Sequence, residues 1–475
     1  MAASSVAALS LLLVLPLNST LFLQSPCLSD NFYGHYKLAD STVGIFKVST
    51  PECIEDSQTR FSVSQATTLV NPPIGSSLLW LEQEAVDDAL LQTEPFTPSS
   101  FYDSVLGLES TGANGQSVLH LGDNEQRILF SSEQAILVAM RPQAALEVDT
   151  ILPRFWRSTL LPESPSTYRV VSDDAVEPVR RVLETLRFNP DIASVVNNIS
   201  LPQIRQDIRF LTGEDGESGI LSRHSFTTGA LTAAAWIKKN IEESGANCRL
   251  ELFLEGFAPN VICRYSATKE TNDTIIISGH YDSRGSFGSA RAPGGDDDGS
   301  GTTGILSIAR TIGRKKILFH KNVELVTFAG EEQGLLGSRA YARELRAQNA
   351  SVILMIQADM TAYRRAQEPL QLGLPERIGT PEVTQLIANV SALYSPELRV
   401  GYSGACCSDH QSFWEQGFPA SQVFERAGPI VDPMYHNSGD LSDREGFDFN
   451  QLYAIAKVQF ASVLHTAGFE FAAED

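Results

Sequence analysis

The chain has 475 residues, 43% of them hydrophobic and 20% charged, a balance that excludes an intrinsically disordered protein and allows two or three domains. Its formal net charge of −21 opposes binding to nucleic acid or to an anionic membrane surface, because like charges repel. We therefore expect a globular protein with neither of these partners.

The N-terminal residues, MAASSVAALSLLLVLPLNST, form a short apolar segment. Such a segment is typical of a secretory signal peptide, and we assign residues 1–20 to it. No later stretch has the uninterrupted apolar length that a membrane-spanning helix needs, so we expect a secreted, extracellular protein. Five sequons are those of a glycoprotein: Asn18, Asn198, Asn272, Asn349 and Asn389.

The six cysteines are expected to pair as disulfides in an oxidising compartment. Proximity in the sequence suggests two pairs: Cys27 with Cys53, and Cys248 with Cys263. The adjacent Cys406 and Cys407 either form a vicinal bridge or stay reduced. Their spacing is not that of a zinc ribbon.

Residues 21–165 are rich in proline and poor in helical periodicity. Short runs, such as Val43 to Val48 and Ala135 to Met140, predict strands. This β-rich N-terminal region contains no catalytic constellation, and we interpret it either as an inhibitory or folding-assisting propeptide or as an accessory domain. Residues 166–189 are predicted to form a linker and a helix.

From residue 190 onward, predicted strands and helices alternate up to residue 475. Four apolar runs predict buried strands, at residues 274–278, 323–329, 352–357 and 420–424. Alternation of this kind predicts an α/β domain with a mixed, mostly parallel sheet that is flanked by helices on both faces. We expect this domain, residues 190–475, to be catalytic.

Polar residues cluster where the first two of these strands end. His280 and Asp282 follow the first strand, and Asp296–Asp298 form a glycine-framed turn before a predicted helix. Glu331 and Glu332 follow the second strand. Adjacent carboxylates repel one another unless a cation lies among them, and parallel strands end at the same edge of a sheet. The pattern indicates metal ligands together with a general base.

Two later residues complete the predicted set. Asp359 follows the strand at 352–357, and His436 lies in a loop that follows two prolines. Zinc accepts imidazole and carboxylate ligands, and a catalytic site leaves one position for water. Two zinc ions could hold a hydroxide between them and polarise a scissile carbonyl group.

Six motifs occur in order along this part of the chain: G-H-Y-D-S, P-G-G-D-D-D-G-S-G, G-E-E-Q-G-L-L-G-S, Q-A-D-M, C-S-D-H and Y-H-N. Together they resemble metallopeptidase family 28, the di-zinc aminopeptidases, and most closely its secreted leucyl-aminopeptidase branch. The resemblance covers roughly residues 190–470. It implies two zinc ions as cofactors, and five ligands: His280, Asp297, Glu332, Asp359 and His436.

The resemblance also assigns roles to individual carboxylates. Asp297 matches the bridging ligand, and the peptide bond from Asp297 to Asp298 would be cis. Glu331 matches the general base, and Asp282 matches the partner that orients His280. Asp296 and Asp298 are left either as site residues or as residues that only shape the turn.

Residues next to the matched motifs are candidates for an apolar substrate pocket: Met360, Cys407, Phe424 and Tyr435. Ordinary core packing is an equally good interpretation of them. The chain departs from the family pattern at one point, since Ser403 stands where relatives often have a cysteine, and Cys406 is new. This departure affects the expected shape of the loop and the side-chain preference.

We therefore predict a secreted di-zinc aminopeptidase that hydrolyses apolar residues from peptide or protein N-termini, by means of a zinc-bridging hydroxide and Glu331. One alternative is a di-zinc carboxypeptidase or dipeptidase, which needs a cationic clamp for the substrate carboxylate. Another alternative is a non-catalytic, peptidase-like interaction domain. The oligomeric state does not follow from the sequence.

Overall fold

The structure is a computed structural model, and it describes residues 11–16, 25–38, 41–48, 67–68, 75–93, 127–166, 168–286, 288–405 and 407–473. The chain divides into two compact units. The first unit comprises residues 1–84 and 95–168, and the second comprises residues 85–94 and 169–475. A short piece of the N-terminal region thus belongs to the second unit.

The strands are, in chain order, β1 (Leu11–Pro16), β2 (Phe32–Leu38), β3 (Ser41–Val48), β4 (Thr67–Thr68), β5 (Ser77–Gln83), β6 (Arg127–Ser131), β7 (Ala135–Met140), β8 (Trp156–Leu160), β9 (Asn247–Glu251), β10 (Asn260–Tyr265), β11 (Asp273–His280), β12 (Ile317–Phe319), β13 (Asn322–Phe328), β14 (Ser351–Ala358), β15 (Gln371–Pro375), β16 (Arg399–Ser403), β17 (Ala420–Val423) and β18 (Phe469–Phe471).

The α-helices are, in chain order, α1 (Pro26–Asp30), α2 (Asp88–Leu91), α3 (Pro142–Leu146), α4 (Asp173–Thr185), α5 (Pro190–Val196), α6 (Leu201–Leu211), α7 (Thr228–Glu242), α8 (Gly299–Lys315), α9 (Leu336–Ala347), α10 (Pro381–Tyr394), α11 (His410–Glu415) and α12 (Phe449–Ala467). A 3₁₀ helix spans Val148–Ile151. No helix within the described residues is both long enough and apolar enough to cross a membrane.

The described residues of the first unit form two four-stranded sheets, with the strand orders β2-β3-β1-β4 and β6-β7-β5-β8. Neighbouring strands in both sheets are antiparallel. Trp80, on β5, is fully buried in one of the two hydrophobic clusters of this unit. β1 lies inside the predicted signal peptide and pairs with β3, so cleavage after residue 20 would remove this strand from its sheet.

The second unit is built on a six-stranded sheet with the order β17-β14-β11-β13-β10-β9. The four strands β17, β14, β11 and β13 are parallel to one another, and β10 and β9 extend the sheet in antiparallel pairing. The predicted α/β class with a mixed, mostly parallel sheet is confirmed, as is the β-rich N-terminal region.

Both faces of this sheet are buried, which explains why its strands are continuous apolar runs. Ile275 and Ile277 of β11 pack into one hydrophobic cluster with α8 and α12, and Ile276 packs into a second cluster with residues of α9 and α11. Successive side chains of a strand point to opposite faces, so a strand between two layers of helices needs apolar residues at every position.

Three structural features differ from the sequence prediction. β11 extends two residues further than expected, because His280 pairs in register with Phe328 of β13. The two-stranded sheets β15-β16 and β12-β18 were not predicted. Short strands of this kind have few residues over which an apolar alternation can be recognised.

The predicted bond between Cys248 and Cys263 is present, on neighbouring strands β9 and β10. Cys27 and Cys407 are also disulfide-bonded. The other two cysteines, at positions 53 and 406, lie outside the described residues, so the predicted partner of Cys27 stays a prediction. The alternative in which the adjacent pair stays reduced is wrong, because Cys407 is disulfide-bonded, and the vicinal bridge stays a prediction.

Candidate metal centre

The chemistry-bearing residues meet because β11, β13 and β14 are parallel neighbours that end at the same edge of the sheet. His280 is the last residue of β11, and Asp359 directly follows β14. Glu331 and Glu332 lie just beyond the end of β13. Strand pairing therefore brings together residues that are up to 79 positions apart in the sequence.

Five side chains form two overlapping groups whose ligand atoms lie within 4.8 Å of one another. The first group is His280, Asp297 and Asp359, and the second is Asp297, Glu332 and His436. These are the five predicted ligands, and Asp297 is common to both groups.

Asp297 directs a different oxygen towards each group. Its Oδ1 lies 3.3 Å from Nε2 of His280, which is also 3.7 Å from Oδ1 of Asp359. Its Oδ2 lies 3.2 Å from Nε2 of His436, which is also 3.1 Å from Oε2 of Glu332. A carboxylate in this position can bridge two cations. The peptide bond from Asp297 to Asp298 is cis, as the resemblance implies.

Several polar atoms of the cluster are buried without a hydrogen bond of good geometry to any described residue. They include both ring nitrogens of His280 and Oε1 of Glu332. Buried polar atoms normally have a partner, and imidazole nitrogens beside carboxylate oxygens are the donor set that zinc prefers. The residues present therefore fit zinc.

The electrostatics of the cluster favour a bound cation. Burial by itself would lower the pKa of His280, but the charge of Glu331 and contacts with neighbouring carboxylates raise it well above its usual value. Burial would likewise lower the pKa of His436, and Glu332 raises it to about 9. Burial and the charge of Asp297 raise the pKa of Glu332. The negative charge of the carboxylates thus exceeds the positive charge that the two imidazoles can carry, and a metal ion would relieve the repulsion between the carboxylates.

Asp282 contacts His280 on the side of Nδ1 and links it to the residues that follow β13. Its Oδ1 is 3.4 Å from Nδ1 of His280, on the ring side opposite the metal-facing nitrogen. Its two carboxylate oxygens also accept hydrogen bonds from the backbone N–H groups of Glu331 and Glu332, at 3.3 and 3.2 Å. The hydroxyl of Ser225 donates a further bond at 3.1 Å. One carboxylate therefore orients a ligand histidine and the segment that carries the predicted base.

Asp298 connects the ends of three elements rather than facing the ligand atoms. It accepts hydrogen bonds from the backbone N–H groups of His280 at 3.0 Å, Gly301 at 2.8 Å and Met360 at 3.2 Å. The bond to Gly301 caps the N-terminus of α8. Of the two roles left open for Asp298 by the sequence, the geometry favours the structural one.

Asp296 also makes backbone contacts. Its Oδ1 accepts from the N–H groups of Ala362 at 2.8 Å and Tyr363 at 3.2 Å. Burial, followed by the charge of Asp432, raises the pKa of Asp296 to about 8. The two backbone bonds make Asp296 a structural element of the turn.

The sequence model of peptidase family M28 matches residues 260–462, a range that contains all five predicted ligands and Glu331. A probable leucine aminopeptidase of Arthroderma otae is 30% identical over 283 residues, which cover 56% of this chain and 73% of that protein. The chain belongs to peptidase family M28. It is a zinc-dependent exopeptidase. A leucine aminopeptidase 1 of Metarhizium robertsii is 33% identical over 220 residues, which cover 43% of this chain and 55% of that protein.

A solved structure supports the fold of this M28 peptidase. The LapA aminopeptidase of Legionella pneumophila superposes with a TM-score of 0.59 and covers 82% of this chain and 98% of its own, at 18% identity. The superposed part of this chain is longer than the second unit, so the likeness in fold includes part of the N-terminal region.

The residues predicted to wall a substrate pocket are Met360, Cys407, Phe424 and Tyr435. Tyr435 stacks on the ring of His436, with the ring centroids 3.8 Å apart. Met360 directly follows Asp359, and its carbonyl oxygen accepts a hydrogen bond from the residue after Phe424. Met360, Phe424 and Tyr435 are buried, and Cys407 is half-buried. Met360 and Tyr435 are thus direct sequence neighbours of proposed ligands.

The carboxypeptidase alternative needs a cationic clamp, and five arginines lie near the site motifs in the sequence: Arg284, Arg291, Arg364, Arg365 and Arg426. Three of them form ion pairs within the described residues: Arg364 with Asp448 at 2.7 Å, Arg365 with Asp87 at 3.5 Å, and Arg426 with Glu368 at 2.9 Å. Arg284 contacts the ligand cluster itself, with its Nη1 3.0 Å from Nδ1 of His436. A substrate carboxylate would compete with existing partners at the first three.

Sequence reasoning missed the residues that support the acidic turn from outside the six motifs. Asp440 accepts hydrogen bonds at 3.0 Å from the backbone N–H groups of Asp296 and Asp297, and Arg444 pairs with Asp440 at 2.9 Å. The guanidinium of Arg223 is fully buried and donates to the carbonyl oxygens of Tyr281 and other residues around the turn. The sequence feature that could have indicated Asp440 and Arg444 is an acidic residue four positions before an arginine, just after the Y-H-N motif.

Proposed function

We propose that this M28 peptidase is a secreted di-zinc aminopeptidase that removes apolar N-terminal residues from peptides. The main support is the placement of Asp297 between two ligand groups, since a shared carboxylate is what a pair of adjacent ions requires. The names of its relatives, both leucine aminopeptidases, support cleavage from the amino end.

In this proposal, His280 and Asp359 would hold one ion, Glu332 and His436 would hold the other, and Asp297 would contribute to both groups. Zinc, when bound, polarises the scissile carbonyl group and lowers the pKa of water to about 7. Asp282 holds Nδ1 of His280, so that Nε2 faces the site.

Glu331 is the proposed general base. Its Oε2 lies 3.9 Å from Nε2 of His280, so the carboxylate borders the space between the ligands. It would take a proton from the attacking water and return it to the leaving amine. The backbone bond from Glu331 to Asp282 fixes the start of this segment and limits movement of the base.

The excess of carboxylates at the site favours a substrate with a free, cationic amino terminus. An apolar side chain would be received among Met360, Phe424, Cys407 and Tyr435. The hydroxyl of Tyr435 is a candidate donor to the developing oxyanion.

Secretion is supported by the apolar N-terminal segment, the disulfides and the sequons. Asn198, Asn272 and Asn349 are exposed, as glycosylation requires. Asn389 is half-buried on α10. The N-terminal region is an accessory domain or a propeptide in this proposal.

A substrate comparison tests the direction of cleavage. Leucyl-nitroanilide and N-acetylated peptides with free carboxyl ends would be assayed side by side, with zinc content measured on the same preparation. We expect hydrolysis of the anilide only, and two zinc ions per chain. Cleavage of the acetylated peptides alone would establish the carboxypeptidase alternative, and an inactive, zinc-free protein would establish the interaction domain.

A further inference from the structure

Residues 85–93 come from the N-terminal part of the chain but belong to the compact unit that contains the metal centre. We call this segment the strap. It consists of an extended stretch followed by the short helix α2. Val86, in its extended part, is buried.

The strap pairs with Ile430 through backbone hydrogen bonds on both sides of that residue. The N–H of Ile430 donates to the carbonyl oxygen of Ala85 at 2.8 Å, and the N–H of Asp87 donates to the carbonyl oxygen of Ile430 at 2.8 Å. Val86 and Ile430 form an isolated parallel bridge. Ile430 is only 3% exposed, so water could not replace these partners without opening the structure.

The side chain of Asp87 anchors the strap at two further points. Its Oδ1 accepts from the N–H of Ala89 at 3.0 Å and caps α2. Its Oδ2 lies 3.5 Å from Nη2 of Arg365. Arg365 lies six positions after Asp359 in the sequence, and Ile430 lies six positions before His436, so the strap contacts two separate segments that each follow or precede a proposed ligand.

Ile430 lies in the middle of a loop that we call the ligand loop, residues 424–436. This loop begins directly after β17, and it carries Phe424 and Tyr435 of the proposed pocket and the proposed ligand His436. Gly428, before Ile430, is bonded to Tyr402, and Asp432, after it, is bonded to Arg444. The backbone of Ile430 itself is bonded only to the strap among the described residues.

We propose that the strap is a positioning element that sets the ligand loop, and so His436 and the substrate pocket. Each buried backbone group left without a partner costs about 1–3 kcal/mol, so losing both bonds would favour an open loop. A displacement of about 1 Å at a catalytic site can lower the rate roughly 100-fold. The effect on catalysis rests on the proposed aminopeptidase function.

The strap also bears on the role of the N-terminal region. Proteolytic removal of residues 21–165 would remove the strap together with the first unit. A propeptide that merely blocks the site would leave a more active enzyme when removed. If the strap positions the ligand loop, we expect the opposite result, a loss of activity when residues 85–93 are removed from the second unit.

The test variant is Asp87→Pro in the full-length chain. The φ of Asp87 is −58° and its ψ is 135°, so proline fits the backbone, and it removes the N–H that binds Ile430 together with the carboxylate contacts to Ala89 and Arg365. Asp88→Pro is the matched control. Asp88 is exposed, it is the first residue of α2, where proline is favoured, and its N–H makes no hydrogen bond to a described residue.

Hydrogen exchange at Ile430 and the separate kcat and KM for leucyl-nitroanilide would be measured for both variants. For Asp87→Pro we expect faster exchange at Ile430 and a drop in kcat/KM of about tenfold or more. Asp88→Pro should match the wild type. Faster exchange with unchanged kcat/KM would overturn the positioning role. Unchanged exchange would show that the remaining bond from Ile430 to Ala85 keeps the loop closed without Asp87, and it would overturn the proposal that the contacts of Asp87 set the ligand loop. An inactive wild type with a protected Ile430 would reject the proposed function but not the pairing.

Discussion

At the scale of single residues, the site separates carboxylates that look alike in the sequence. Asp297 faces both histidines, Asp282 lies behind one of them, and Asp298 bonds only backbone N–H groups among its described contacts. The residue types and their spacing in the sequence identified all three aspartates as candidate site residues. Their different roles follow from which oxygen faces which neighbour, and that depends on the fold.

Changing Glu331 to Gln tests the general base. The amide keeps the size of the side chain but cannot take a proton, so we expect zinc content to be retained and kcat to fall by roughly 10²–10⁴-fold. Glu344→Gln, on the exposed face of α9, is the control and should keep full activity. Steady-state kinetics and metal analysis are the measurements, and undiminished turnover in Glu331→Gln would rule out this role.

Changing Asp359 or His436 to Ala tests the ligand assignment. Each substitution removes a donor from one of the two groups, so we expect each variant to bind about one zinc ion fewer than the wild type. Asp174→Ala, on an exposed position of α4, should bind the full complement. Retention of both ions in either ligand variant would show that the replaced residue is not a ligand.

At the scale of secondary-structure elements, the apolar runs of the central strands were recognisable because both of their faces are buried. The helix α8 begins at Gly299, directly after the glycine-framed acidic turn, and its first turn is capped by Asp298 and packed against β14. The first turn of α8 is glycine-rich because neighbouring atoms leave no room for a side chain. A Cβ atom on Gly301 would lie 2.4 Å from the carbonyl oxygen of Ala358.

Two glycines on α8 provide a matched test of this packing. Gly301→Ala should destabilise the second unit by about 1–3 kcal/mol and reduce activity, because the methyl group would displace β14 or Asp298. Gly304→Ala should be neutral or stabilise by up to about 1 kcal/mol, since its nearest neighbour would be a methyl group at 3.8 Å. Urea denaturation would measure both, and equal effects of the two changes would contradict the proposed crowding.

Glu82, on β5 of the first unit, predicts a pH dependence of stability. It accepts hydrogen bonds from Trp80 and Lys37, yet burial, and next the charge of Glu84, raise its pKa from 4.5 to about 7. Between these two values the folded state keeps a proton that the unfolded state releases. Stability should therefore fall as the pH rises from 4.5 to about 7, by up to roughly 3 kcal/mol.

Glu82→Gln removes this titration while its amide oxygen can still accept both hydrogen bonds. We expect the variant to lose most of the pH slope over that interval, and to be the more stable protein at the upper end. Urea denaturation of the variant and the wild type at each pH would measure the difference in stability that is due to Glu82. An identical slope in the variant would assign the pH dependence to other groups.

At the scale of the whole molecule, the metal centre concentrates buried negative charge in one place. Removal of zinc would leave the carboxylates of both ligand groups without compensation. We expect chelation to lower Tm and readdition of zinc to restore it, with a stabilisation of about 2.7 kcal/mol when free zinc is 100 times Kd. Thermal denaturation with and without chelator measures this, and an unchanged Tm would argue against tight binding at the centre.

The amino-acid sequence by itself determined the α/β class, the bond between Cys248 and Cys263, and the candidate ligands. These depend on local apolar runs, on short spacing and on ordered motifs, all of which can be read along the chain. Only the tertiary structure decided that Asp297 faces both ligand groups, that Asp440 supports the acidic turn, and that residues 85–93 belong to the catalytic unit. The last two facts depend on hydrogen bonds between residues more than 100 positions apart, and the first depends on side-chain contacts of Asp297 with residues 17 and 139 positions away. Such contacts leave no periodic pattern in a single sequence.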